Sequence, residues 1–174
     1  MPVTSFPVIS GAQVTAGGDT TAKTQVGALY AYRVGDQWSI VQYVQAANGI
    51  IARYLACVQN DATLKQYSVK LPATGDGGGA IRGIAIATIA SQTYGFVTVA
   101  GYVENVLVSS SAAASAEYLR LSGSTAGQLS ALAASVFNVG TQGNGSMFLV
   151  VAQVNAALAS SAVSGSAHLV GFWG

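Results

Sequence analysis

Short runs of apolar and β-branched residues alternate with turn residues along most of this chain. From Val26 onward, Gly, Asn, Asp or Ser separates each run from the next. This spacing is typical of an all-β barrel or sandwich, and no run has the period of a helix. The predicted strands are residues 28–34, 38–45, 52–59, 67–71, 81–89, 96–100, 102–108, 118–121, 128–132, 147–154 and 167–173.

The first 25 residues differ from the rest of the chain. They are rich in Thr, Gly, Ala and Pro and show neither a helical nor a strand period. Such a segment is predicted to be an extended N-terminal arm, either disordered alone or held by a partner. Since 174 residues suit a single domain, we expect an arm at 1–25 and one β body at 26–174.

Two patterns within the body bear on its topology. The strands at 96–100 and 102–108 are expected to bend at Gly101. A strand, a connector rich in Ala, Ser and Gln, and a second strand recur at 84–100 and 148–170. This recurrence indicates a faint internal repeat.

The chain is unusually poor in charge, with 7% charged and 51% hydrophobic residues. An average soluble domain has about 25% charged residues. A membrane-spanning helix needs about 20 consecutive apolar residues, and the most apolar stretch, 83–100, is interrupted by Ser, Gln, Thr and Gly. The start of the sequence also lacks the basic and apolar regions of a secretory signal. We therefore expect no membrane contact. The surface is either largely covered by partners or unusually rich in Ser, Thr, Gln and Asn.

Three kinds of chemistry lack the residues that they need. The seven Lys and Arg residues are scattered, at a net charge of +1, so nucleic acid is not an expected partner. The six Asp and Glu residues show no metal-ligand spacing with the one His and the one Cys. His168 has no nucleophile motif to serve, so a surface or structural histidine is expected. We predict that the protein is not an enzyme and uses no cofactor or metal.

Two further features have simple structural interpretations. Cys57 lies in the apolar run YLACV and is predicted to be a buried small hydrophobic residue. The glycine loop at 75–79 is not followed by the Lys and the helix that a phosphate-binding loop requires. It is predicted to be a surface loop.

Five aromatic residues lie close together on three predicted strands. They fit either a carbohydrate platform of the lectin kind or packing in the core and at an interface. Packing is favoured, because aromatic side chains supply the large buried areas that cores and interfaces require. The five are Tyr30, Tyr32, Trp38, Tyr43 and Tyr54.

Three stretches of the chain carry a resemblance. The first is KTQVGALYAYRVGDQWSIVQYVQAANGI, beginning at Lys23. The second is RGIAIATIASQTYGFVTVAGYVENVLV, beginning at Arg82, and the third is YLRLSGSTAGQLSAL, beginning at Tyr118. In this order they resemble stretches of the small phage capsid decoration proteins, also called cement proteins.

The resemblance implies a single β-barrel or β-sandwich domain of the β-tulip kind on the outside of a phage head. It also implies an extended N-terminal arm, assembly as a homotrimer, and binding to the major capsid protein so that the virion is stabilised. The low charge agrees with this, since interface cores are depleted in Lys, Glu and Asp. The apolar residues of the arm, the first strands and the C-terminus are the expected interface: Val3, Phe6, Val8, Val14, Tyr30, Tyr32, Trp38, Phe172 and Trp173.

Two other functions stay open at this point. A head-fibre, tail or spike component would also favour trimers of β domains. A carbohydrate-binding module would use the aromatic residues between Tyr30 and Tyr54.

Overall fold

The computed structural model describes most of the chain. The described residues are 6–47, 49–59, 67–73, 81–108, 118–122, 125–132, 152–154 and 163–169. The glycine loop predicted at 75–79 lies outside them, as do Val3, Phe172 and Trp173.

The strands of the described segments all belong to one mixed sheet, which confirms the predicted all-β class. This sheet is not a clear barrel. Every strand from β2 onward overlaps a predicted one, whereas β1 and the short helix α1 were not predicted. The elements are β1 (Val8–Ile9), α1 (Gly11–Thr15), β2 (Leu29–Val34), β3 (Gln37–Ala46), β4 (Ala56–Gln59), β5 (Ser68–Lys70), β6 (Ile81–Ala85), β7 (Tyr94–Val108), β8 (Tyr118–Leu121), β9 (Leu129–Leu132), β10 (Ala152–Val154) and β11 (Val163–Leu169).

The strand pairings close two rings of five strands that share β7. The first ring runs β3, β5, β4, β6, β7 and closes where β7 pairs with β3. The second runs β7, β9, β8, β10, β11 and closes where β11 pairs with β7. The predicted bend lies within β7, at Gly101, whose φ is +84°.

Most buried apolar side chains of the described residues belong to three clusters. One lies inside the first ring and consists of Val44, Ala46, Ile51, Cys57, Val69, Ala85, Ile89 and Val97. A second fills the second ring and its boundary with the first, and consists of Ala56, Val58, Ile81, Ile84, Val103, Val106, Val108, Leu119, Leu129, Ala167 and Leu169. The third lies on the outer face of the first ring and consists of Val14, Val41, Tyr43 and Phe96.

The N-terminal segment at 6–25 lies against this outer face. Its strand β1 pairs in parallel with β2, and Asp19 exchanges two backbone hydrogen bonds with Tyr94, at 2.9 and 2.8 Å. Helix α1 begins after Ser10, and the Gln13 side-chain oxygen accepts hydrogen bonds from the backbone N–H and the hydroxyl of Ser10, at 3.3 and 2.9 Å. The helix places Val14 in the third cluster. The described part of the expected arm is therefore attached to the protein's own sheet.

Candidate docking surface

Two large apolar side chains are exposed close together on the first strands. Val8 is 69% exposed and Trp38 is 53% exposed. The register aligns Val8 with Ala31 and Ala31 with Ile40, and Ile40 lies two residues from Trp38 on β3. Because paired residues and residues two apart share one face of a sheet, these four side chains form one surface. We call Val8, Ala31, Trp38 and Ile40 the Trp38 face.

Strand β7 does not pair with β3 at Trp38. Pairing between β3 and β7 begins at Ser39, opposite Gly101. Within the described segments, Trp38 is paired with Arg33 of β2 alone. The Arg33 guanidinium in turn pairs with Asp36 at 2.9 Å in the exposed hairpin turn. Arg33 therefore lies beside Trp38 on the same face, and Asp36 balances its charge.

A groove of about 520 Å³ lies between the N-terminal segment and strands β2, β3 and β7. Aromatic rings form its floor: the Tyr43 and Phe96 centroids are 4.8 Å apart, and Tyr30 meets Phe96 edge-on at 5.9 Å. These rings pack mainly against one another. The groove is lined by Val8, Ile9, Ala12, Gln13, Ala16, Asp19, Lys23, Thr24, Tyr30, Tyr43 and Phe96.

A polar group fastens the N-terminal segment at one end of this groove. The Tyr43 hydroxyl donates to an Asp19 carboxylate oxygen at 3.3 Å and accepts from the Lys23 backbone N–H at 3.2 Å. The Lys23 ammonium forms an ion pair with the same carboxylate, which raises the pKa of Lys23 through hydrogen bonding and charge. Burial raises the pKa of Tyr43. These groups satisfy one another, so the arrangement serves as an internal tie.

The structure separates the predicted interface residues into distinct groups. Val8 and Trp38 are exposed, whereas Phe6, Tyr30 and Tyr32 are half-buried. For Val14 the expectation is wrong, because its side chain is fully buried against the protein's own aromatic cluster and offers no surface to a partner.

The five clustered aromatic residues also divide. Trp38 is exposed, Tyr43 is fully buried, and the other three are half-buried. Tyr43 packs against Tyr94 and Phe96, at centroid distances of 5.9 and 4.8 Å. Since the ring of Tyr43 is covered, the cluster does not present one continuous aromatic platform.

Reactive groups are sparse in the part of the chain that the structure describes. There, no group of three or more His, Cys, Asp and Glu side chains could hold a metal ion. His168 is exposed and meets the Tyr102 ring edge-on, with the centroids 5.7 Å apart. Within the same residues, no helix has the length and hydropathy that crossing a bilayer would take.

Cys57 is buried inside the first ring, as predicted. Its Sγ donates to the Gly83 carbonyl oxygen at 3.4 Å. Burial raises the pKa of the thiol from its ordinary value of 9.0 to about 12. The thiol therefore stays protonated and unreactive in the folded protein at neutral pH.

We expect this thiol to make the protein less stable in alkali. The unfolded thiol loses its proton above pH 9 and the folded one only near pH 12, so its stabilising effect is complete below pH 9 and is lost as the pH rises. In that window its contribution falls by about 1.4 kcal/mol for each pH unit. Urea denaturation at pH 8, 9, 10 and 11 gives the free energy of unfolding of the wild type and of Cys57→Ala. The difference between the slopes of these free energies against pH measures the contribution of the thiol. Parallel slopes would contradict it.

Two features of this region escaped the sequence interpretation. Ile50, in the turn after β3, is 59% exposed, and nothing in the sequence distinguished it from a core residue. Helix α1 did carry a signal, the S-x-x-Q pattern of Ser10 and Gln13, which is typical of a helix start.

In the comparisons with known proteins, neither a family model nor a curated protein matches this chain.

Proposed function

We propose that this protein is a phage capsid decoration protein, which binds the outside of the head through the Trp38 face and stabilises it. The observation that carries the proposal is the exposure of both Trp38 and Val8 on one face of the sheet. The partner is the major capsid protein, and the protein acts by binding and not by catalysis. The three stretches that resemble decoration proteins support the same function.

The energetics of the Trp38 face suit a docking role. A tryptophan side chain buries about 200 Å² at an interface, and tryptophan is enriched among the residues that dominate binding energy. Val8, Ala31 and Ile40 extend the apolar contact around it. One such contact is small, but a capsid lattice repeats it many times, so a modest affinity per copy still stabilises the particle.

A binding assay with two variants tests the proposal. Purified protein is mixed with expanded capsids assembled without it, and binding and the capsid disruption temperature are measured. Trp38→Ala is expected to weaken binding at least tenfold, because truncating a central interface tryptophan costs about 2 kcal/mol or more. Ile50→Ser is the matched control, since Ile50 is equally exposed but follows the other end of β3. It should bind as the wild type does.

Three outcomes would count against the proposal. If the wild type does not bind, the capsid function is wrong. If Trp38→Ala binds as well as the wild type, the face is wrong. If antibody labelling on virions falls on the tail or on a fibre and not on the head lattice, the protein is a component of that structure.

The same variant tests the carbohydrate alternative. On a glycan array we expect no binding, because the clustered rings are largely covered and Trp38 stands alone as an exposed ring among the five. Glycan binding that disappears in folded Trp38→Ala would establish a carbohydrate-binding module instead.

The expected homotrimer belongs to the proposal as well. Trimers at the threefold positions of a lattice would bring several Trp38 faces to neighbouring capsid subunits. Sedimentation equilibrium of the isolated protein distinguishes a trimer from a monomer that assembles only on the capsid.

A further inference from the structure

The two rings have the same pairing scheme. In each ring, the strand that comes first in the chain pairs in parallel with the strand that comes third. All other pairings within both rings are antiparallel. The scheme makes β3, β4, β5, β6 and β7 of the first ring equivalent to β7, β8, β9, β10 and β11 of the second. Strand β7 is therefore the last strand of the first ring and the first strand of the second.

The residue registers match as well as the order. When equivalent strands of the two rings are aligned on one residue pair, other paired residues of the first ring match paired residues of the second. Corresponding pairs are Ala46–Val69 and Val108–Leu129, Cys57–Gly83 and Leu119–Ala152, and Ala85–Val97 and Val154–Ala167.

The core positions follow the same correspondence. Val44, Ala46, Cys57, Val69 and Val97 in the first ring correspond to Val106, Val108, Leu119, Leu129 and Ala167 in the second, and each of these ten is at most 2% exposed. The sequence spacing agrees, because Gly95 and Gly101 recur six residues apart as Gly165 and Gly171, each second glycine being followed by an aromatic residue.

The two cores differ in one respect. The cluster inside the first ring contains only residues between Val44 and Val97, so the first ring supplies its own core. The cluster of the second ring also contains Ala56, Val58, Ile81 and Ile84, which belong to β4 and β6 of the first ring. The two rings bury this second cluster together, whereas the cluster inside the first ring contains no residue of β8, β9, β10 or β11. Among the described residues, the first ring therefore has a core of its own and the second ring shares its core with the first.

We infer that the chain is an internal duplication of one five-stranded unit and that its two units open in a fixed order. The second unit opens while the first stays folded, but the second cannot stay folded once the first opens. The Trp38 face lies at the first unit, so a partner can remain bound there while the second unit opens. This inference does not depend on what that partner is.

Native-state hydrogen exchange of the full chain tests the order with a matched pair of variants. Val44→Ala and Val106→Ala remove the same two methyl groups from equivalent, fully buried positions. Val106→Ala is expected to accelerate amide exchange in β8, β9 and β10 about tenfold or more, with less than about a threefold change in β4, β5 and β6. Val44→Ala is expected to accelerate both groups about tenfold or more.

A second measurement needs no substitution. In wild-type protein, the exchange rates of the β8, β9 and β10 amides should begin to rise with urea at lower concentrations than those of the β4, β5 and β6 amides. Three results overturn the inference: one common opening for both groups, equal acceleration of both groups by Val106→Ala, or acceleration confined to the first unit by Val44→Ala. If either variant fails to fold, the wild-type series decides.

Discussion

Gly101→Ala is expected to lower the free energy of unfolding by about 3 kcal/mol or more. The φ of Gly101 is +84°, a conformation that L side chains rarely adopt. An added Cβ would lie 2.5 Å from the Trp38 carbonyl oxygen and 3.1 Å from the Ser39 Cα. Both are backbone atoms, so no side-chain rotation relieves the contact. Urea denaturation followed by circular dichroism measures the loss.

The position of Gly101 explains why the loss should be large. Gly101 pairs with Ser39 of β3 on one side and with Leu169 of β11 on the other. The rings meet at this residue, so a displacement there disturbs both. We expect hydrogen exchange to accelerate in both units in this variant.

Gly35→Ala provides the matched control. Gly35 also has a positive φ, +58°, but a Cβ added there would have no atom within 4 Å outside the neighbouring residues of the chain. This substitution carries only the backbone cost, about 1 kcal/mol. Equal losses at Gly35 and Gly101 would show that the close approach to β3 contributes nothing.

The sequence predicted the β-strands well because their signal is local. Alternation and β-branched residues mark β2, β3 and β7 within a few positions, and 118–121 matches its strand β8 (Tyr118–Leu121) without an error. The turn at Gly35 and Asp36 follows from residue type alone. None of these features depends on distant parts of the chain.

The order of the strands could not be predicted in the same way. Each ring contains one short parallel contact, such as Ala46 opposite Val69, and many runs of similar composition could have taken that place. The recurrence at 84–100 and 148–170 was the sole hint in the sequence, and the registers now account for it as equivalent strands.

The exposure of the expected interface residues shows the same limit. Val8 and Val14 are the same residue type in one segment, yet one is 69% exposed and the other 0%. The difference arises because Tyr43 and Phe96, distant in sequence, cover Val14. Exposure of this kind is a tertiary property, so residue type alone could not predict which of the two valines is exposed.

Tyr43→Ala is expected to lower the free energy of unfolding by about 4 kcal/mol. The side chain is fully buried, stacks on Tyr94, packs against Phe96, and holds Asp19 and Lys23 through its hydroxyl. Its removal leaves a cavity and releases the N-terminal segment from the first ring. We therefore expect faster proteolysis within residues 16–25 in addition to the loss measured in urea.

Tyr43→Phe separates the two contributions of this side chain. It keeps the ring contacts and removes only the hydroxyl that links Asp19 to the Lys23 backbone. The expected loss is about 1.5 kcal/mol, the usual cost of one buried hydrogen-bonding group. If Tyr43→Phe were as unstable as Tyr43→Ala, the polar tie and not aromatic packing would hold the N-terminal segment. If neither variant changed the proteolysis of residues 16–25, that segment would be held by β1 and Val14 alone.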